Sequence, residues 1–204
     1  MSEITTVVLD LGNVLAFHDN RYLFEQLGAR AGLDADEVAR RFAERTLFDR
    51  IQRGPYDAAG IRREVADALA LDIALDDFVP LWCCHFRMNE PVWPLVAALA
   101  GKVTLVLLSN TNALHTAYLR PLLPVLRHFD HLVLSNEVGL IKPEPAIYQY
   151  ALSLAGALPA QTVFFDDHPA YVDAARGLGI QAYVFEHVEG FRARLLDLAL
   201  LPTT

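Results

Sequence analysis

Five stretches of this chain are apolar without alternation: residues 5–10, 103–108, 131–134, 162–165 and 180–185. A strand with one wet face alternates, so unbroken runs indicate strands covered on both faces, as in a parallel sheet. Helical spacing fills the gaps, over roughly 91–100, 112–126, 144–156, 169–178 and 188–200. Pro91, Pro143 and Pro169 stand near helix starts, where a missing N–H costs nothing. Gly101 and Gly179 stand where helices stop. Strand–helix alternation predicts an α/β fold, a doubly wound Rossmann-like parallel sheet of about five strands.

One segment breaks the alternation. Between the first strand and the helix near 91 no strand is predicted. Helical patterns run near 20–31, 35–52, 57–70 and 75–87, punctuated by Gly32 and Gly54-Pro55, with Asp34 and Asp57 as N-caps. The expected organisation is an α/β core of residues 1–16 and 89–204, and a helical cap of residues 17–88. An insert directly after the first strand lies over the sheet's C-terminal edge, where a lid excludes water and shapes a pocket.

Composition narrows the function. The chain of 204 residues is 53% hydrophobic, yet it has no apolar run of the length needed to cross a membrane. Its first residues lack the basic start and apolar stretch of a secretory signal. The two cysteines, Cys83 and Cys84, are adjacent, which makes an ordinary disulfide between them implausible. A reducing cytoplasm is the expected location. The net charge of -8 argues against nucleic acid and anionic membrane as partners. A monomer is expected, with a homodimer as the alternative. Lys102 and Lys142 are the only lysines among 17 basic residues. A lysine in an arginine-using chain marks a place for a compact point charge. Lys102 follows Gly101 in a turn; Lys142 has the richer context.

The chemistry-bearing residues sit at strand ends. Val7-Val8-Leu9 runs into Asp10, and Val163-Phe164-Phe165 runs into Asp166-Asp167. Carboxylates at the open end of a sheet, where ligands of such folds bind, repel one another unless a cation intervenes. Mg²⁺, which takes oxygen ligands, meets that need. Asp10 can also serve as a nucleophile. Ser109-Asn110-Thr111-Asn112 follows the second strand and opens a helix, offering hydroxyl, amide and N–H groups to an anion. Lys142, in Ile141-Lys142-Pro143-Glu144, can neutralise a phosphate or steady a nucleophile.

With these residues in order, the chain resembles the haloacid dehalogenase-like hydrolase superfamily. Asp10-Leu11-Gly12-Asn13-Val14 matches its first motif, Ser109-Asn110 its second, Lys142-Pro143 its third and Asp166-Asp167 its fourth. The nearest likeness is to the bacterial glucose-1-phosphate phosphatase branch, with the phosphatase domain of soluble epoxide hydrolases more distant. The resemblance implies an inserted cap of the first type and attack by Asp10 on phosphorus. It further implies Mg²⁺ held by Asp10, the Gly12 carbonyl and Asp167, with Asp166 close by. Ser109, the Asn110 backbone and Lys142 would hold the phosphoryl oxygens of a small phosphorylated metabolite, a sugar phosphate such as glucose-1-phosphate.

Two positions depart from the family pattern. Gly12 stands where many relatives carry a second aspartate that moves protons; Asp19 or His18, just downstream, are the candidate substitutes. Tyr171 stands where many carry asparagine, and is expected to pack on its helix. Phe17, Arg45 and Phe48 are candidates for specificity. His85, His115, His128, His131 and His187 show no ligand spacing, and Trp82, Trp93 and Phe86 read as packing. Rival readings are a metal-independent 2-haloacid dehalogenase, which the paired acids argue against, and a catalytically silent phosphate-binding or interaction module.

Overall fold

The computed structural model describes residues 3–202. Its five-stranded sheet runs β5-β4-β1-β6-β7, with every neighbouring pair parallel. The strands are β1 Thr6–Leu9, β4 Thr104–Ser109, β5 His131–Leu134, β6 Thr162–Asp166 and β7 Gln181–Val184. All four residues of β1 are buried, which is why its pattern is unbroken rather than alternating. One face of the sheet (Val7, Leu9, Leu105, Leu107, Val163, Phe165) packs on α6 Trp93–Leu99 and α11 Val188–Asp197. The other face (Val8, Val106, Leu108, Val133, Phe164) packs on α9 Pro145–Ala155 and α10 Pro169–Arg176. The chain leaves β1 toward β4 and leaves β6 toward β7. Connections that diverge from two adjacent strands open a crevice at their C-terminal ends, the usual ligand site of such sheets.

The inserted segment forms α1 Asn20–Ala31, α2 Ala35–Glu44, α3 Leu47–Arg53, α4 Ala58–Leu69 and α5 Leu75–Cys83. Asp19, Asp34 and Asp57 cap α1, α2 and α4, accepting from the N–H groups of Tyr22, Glu37 and Gly60. These helices bury their own apolar cluster, including Leu27, Val38, Phe42, Ile51, Val65, Phe78 and Trp82. Leu114 of α7 Ala113–Leu119 joins that cluster from the sheet side. Arg53 at the end of α3 forks onto Glu144, tying the helical unit to the turn before α9.

Several expectations need correction. The helix expected over 35–52 is two, because Thr46 takes a left-handed conformation at φ 47° and turns the chain. The helix expected over 112–126 ends at Leu119; Pro121 and Pro124 follow, and the chain continues in two 3-10 turns. The segment said to lack strands contains two. Phe86–Met88 (β3) pairs antiparallel with Ala16–His18 (β2), forming a two-stranded ribbon where the chain leaves and rejoins the sheet. Each ribbon strand is only three residues long, too short for a period to declare itself. A short helix, α8 Ser135–Val138, was also not foreseen.

Candidate functional site

The register that pairs Leu9 with Phe165 brings Asp10 beside Asp166. The Asp10 N–H donates to the Phe165 carbonyl at 3.0 Å, continuing the ladder into the site. Lys142, on the loop after α8, reaches between the two acids. Its Nζ lies 2.8 Å from Asp10 Oδ1 and 2.6 Å from Asp166 Oδ2. The other Asp166 oxygen accepts the His168 N–H at 2.8 Å. Asp167 turns the opposite way, and Asn13 Nδ2 donates to it at 2.8 Å. Asn13 holds a φ of 53°, a conformation that asparagine tolerates better than most residues. That twist aims its side chain back across the turn, where Oδ1 also accepts the His18 N–H.

Asn110 fixes the lysine loop by two bonds. Its Oδ1 accepts the Lys142 N–H at 2.8 Å and its Nδ2 donates to the Lys142 carbonyl at 2.9 Å. Ser135 Oγ clamps the next residue, accepting the Thr111 N–H and donating to its carbonyl. Tyr171 places its ring 5.2 Å from Lys142 Nζ. The lysine is therefore oriented by backbone, ions and an aromatic face together.

Charge in the site is unbalanced. Asp10, Asp166 and Asp167 offer oxygens that all lie within 4.8 Å of one another, against one ammonium. Burial pushes the Asp10 carboxyl up to about 7; the charges of Asp166 and Asp167 add to the rise, and Lys142 opposes it. Lys142 is buried, which alone would lower its pKa, yet its two carboxylate partners hold it above the usual lysine value. A group of oxygen donors with surplus negative charge suits a hard divalent cation. Both Asp166 oxygens are engaged by protein donors, so Asp10 and Asp167 are the carboxylates facing the cavity.

That cavity, of about 330 Å³, is lined by Asp10, Gly12, Ser109, Asn110, Lys142 and Asp167 at the sheet end. The strand-end candidates therefore line one cavity, except Asp166, which is buried behind Lys142, and Asn112, which is the buried cap of α7. Asp19 does not line it. Its carboxylate accepts the Tyr22 N–H at 3.0 Å as the cap of α1, and it is exposed. His18 does line it. A Cβ at Gly12 would meet the His18 ring at 3.1 Å, so the imidazole occupies the space a side chain at position 12 would need. Among the specificity candidates, Phe48 lines the cavity. Phe17 lies out on the ribbon beneath Arg87, and Arg45 borders a separate depression with Arg62 and Arg63.

Several lining residues escaped the sequence reading, among them Asp49 and Gln52 of α3, Tyr171, His85, Phe86 and His115. Tyr171 is not mere packing: its hydroxyl lies 3.5 Å from Asn110 Nδ2 and its ring faces the lysine. His85, Phe86 and His115 form an aromatic wall with Trp82, which stacks on His115 at 5.3 Å. Their sequence positions show no motif, because the ribbon and α7 bring them together only in the fold.

Comparison with known proteins agrees with this fold. A D-ribitol-5-phosphate phosphatase of Bacteroides thetaiotaomicron is 24% identical over 200 residues, covering 94% of this chain and 97% of that protein. Rat bifunctional epoxide hydrolase 2 is 35% identical over 98 residues, 46% of this chain and 18% of that protein. A crystal structure of a haloacid dehalogenase family enzyme from B. thetaiotaomicron, in complex with magnesium and inorganic phosphate, superposes with a TM-score of 0.81. It is 24% identical, with 90% of this chain and 94% of that one covered. The profile of haloacid dehalogenase-like hydrolases matches residues 4–179, a span that holds every site residue described above; the chain belongs to that family of hydrolases.

Proposed function

We propose that this hydrolase is a Mg²⁺-dependent phosphatase of small phosphorylated metabolites that works through an aspartyl-phosphate on Asp10. The observation that carries the reading is the charge imbalance: three clustered carboxylates and one buried lysine at the end of a cavity. Neither a neutral ligand nor an anion alone relieves it; a divalent cation together with a phosphoryl group does. Asp10, Asp167 and the Gly12 carbonyl hold the ion, with Asp166 anchoring Lys142 behind them. Bound there, Mg²⁺ neutralises phosphoryl oxygens that the carboxylates would otherwise repel.

Asp10 attacks phosphorus in line with the ester bond. The Asp10 O–P bond forms as the ester P–O bond breaks, and the leaving oxygen takes a proton. Water then attacks the same phosphorus, releasing inorganic phosphate and restoring the carboxylate. Lys142, the Ser109 hydroxyl and the Asn110 backbone hold the phosphoryl oxygens through both steps. Phosphoryl transfer depends mainly on such positioning and neutralisation. With glycine at position 12 and Asp19 committed to its helix, His18 is the lining residue placed to exchange a proton with the leaving oxygen and the water, and burial lowers its pKa below the ordinary histidine value. The helical segment 17–88 acts as a cap that closes over the substrate, and the protein works as a cytoplasmic monomer. A 2-haloacid, by contrast, brings a carboxylate of its own, and Lys142 is the only Lys or Arg among the lining residues.

The test is phosphate release from a metabolite panel that includes glucose-1-phosphate and D-ribitol-5-phosphate, with Mg²⁺ and with EDTA. Metal-dependent release that vanishes in Asp10→Asn is expected. Release that persists in that variant, or chloride release from 2-chloropropionate without metal, overturns the reading.

A further inference from the structure

Part of the cavity's lining has a charge pattern that phosphoryl transfer does not use. Its walls carry Asp49 and Gln52 from α3, Asn20 from α1, and the rings of His85, Phe86 and His115. Neither imidazole supplies a cation. Asn112 Oδ1 accepts the His115 N–H, which fixes the amide's orientation, so its Nδ2 is what meets His115 Nδ1 at 3.0 Å. Nδ1 is therefore an acceptor and the ring is neutral. Burial lowers the pKa of both His115 and His85, the latter to about 4. Arg53, one turn beyond Asp49 and close enough to feel its charge, is forked onto Glu144 and does not line the cavity. This part of the lining thus holds a carboxylate, neutral hydrogen-bonding groups and aromatic faces, and Lys142, paired with Asp10 and Asp166, is the one Lys or Arg that lines the cavity.

We infer that the cavity takes phosphate monoesters whose leaving group is uncharged and hydroxyl-bearing, and that Asp49 is the residue that turns away leaving groups with a second anionic function. A carboxylate or second phosphate there would lose water without gaining a partner and would face Asp49. Hydroxyls instead find Gln52, Asn20 and Asp49 as partners. A volume of about 330 Å³ is at the small end for ligand sites, which suits a short polyol or a single sugar. For turnover the inference rests on the phosphatase reading; for binding it does not.

Glycerol 3-phosphate and 3-phosphoglycerate test it, because they differ only in a hydroxymethyl group against a carboxylate. The measurements are kcat/KM for both in the wild-type, Asp49→Asn and Asp49→Lys proteins, and calorimetric affinity of both for Asp10→Asn with and without each Asp49 change. The wild type should favour the polyol at least tenfold. That preference should fall about fivefold in Asp49→Asn and further in Asp49→Lys, less so at high salt, as befits an exposed charge. A preference near one, or one indifferent to residue 49, overturns the inference while leaving the phosphatase reading intact. Selective binding without turnover of either compound leaves charge selection standing, and the phosphatase reading then stands or falls on the metabolite panel. Failure of both compounds to bind overturns the inference alone.

Discussion

Lys142 shows how much one side chain can carry. It is 1% exposed and bridges two buried carboxylates. Removing one partner of such an arrangement leaves uncompensated buried charge, at a cost of about 3–5 kcal/mol. Lys142→Ala should therefore lose phosphate release and also lower stability by a few kcal/mol in urea unfolding. Lys142→Arg should not restore activity, because a planar fork does not fit where a compact ammonium sits between two acids. An unchanged unfolding midpoint in Lys142→Ala would show that the bridge is not made. His115 offers a residue-scale test of pH dependence. Its folded pKa is lowered by burial, so the unfolded chain takes up the proton first as pH falls below the ordinary histidine value of about 6.5. Stability from the neutral ring is complete above that pH and declines below it, by about 1.4 kcal/mol per unit. His115→Phe keeps an aromatic face against Trp82 and has nothing to titrate. The stability gap between wild type and variant should accordingly shift in the variant's favour by more than 1 kcal/mol between pH 7.5 and 5.5. A gap independent of pH rejects a buried neutral His115.

At the scale of elements, the sequence was legible wherever burial was continuous or a cap stood at a boundary. The five sheet strands and the caps Asp34 and Asp57 declared themselves through unbroken apolar runs and side chains suited to open N–H groups. What escaped were elements defined by partners far along the chain. The ribbon of β2 and β3 joins segments about seventy residues apart, and each strand pattern means nothing without the other. Thr46 hides a break because a β-branched residue rarely takes a left-handed conformation. The Arg53–Glu144 pair is likewise a link between elements. Both side chains are more than a third exposed, so the pair contributes less than about 1 kcal/mol to stability. Its consequence is positional, since it joins α3, which carries Phe48, Asp49 and Gln52, to the loop that carries Lys142. Glu144→Gln should leave urea unfolding within about 1 kcal/mol of wild type while changing KM severalfold on the best substrate. Unaltered kinetics would show that the link has no bearing on the cavity.

The whole molecule converts a long contour into one site. Asp10 and Asp167 lie at opposite ends of the described chain, and only the placement of β1 beside β6 brings them together. That is why the motifs were readable as a set, while the division of labour between Asp166 and Asp167 came only from the family resemblance: both follow the same strand, and it takes the fold to show that Lys142 pairs with Asp166 and Asn13 with Asp167. It also has a thermodynamic consequence. Carboxylates so far apart form no such cluster in the unfolded chain, so a cation bound by the folded cluster raises stability through mass action, by about 2.7 kcal/mol at a hundred times its dissociation constant. The cluster's surplus negative charge makes the metal-free fold the strained one, and Asp10→Asn removes one of the three charges. The variant should therefore melt above the wild type in EDTA and gain less from Mg²⁺, so that the two melting curves approach each other or cross as the metal is added. Equal Mg²⁺-dependent shifts in both proteins would place the ion away from Asp10. No shift in either would mean that the acids at the end of β1 and β6 are balanced by Lys142 alone.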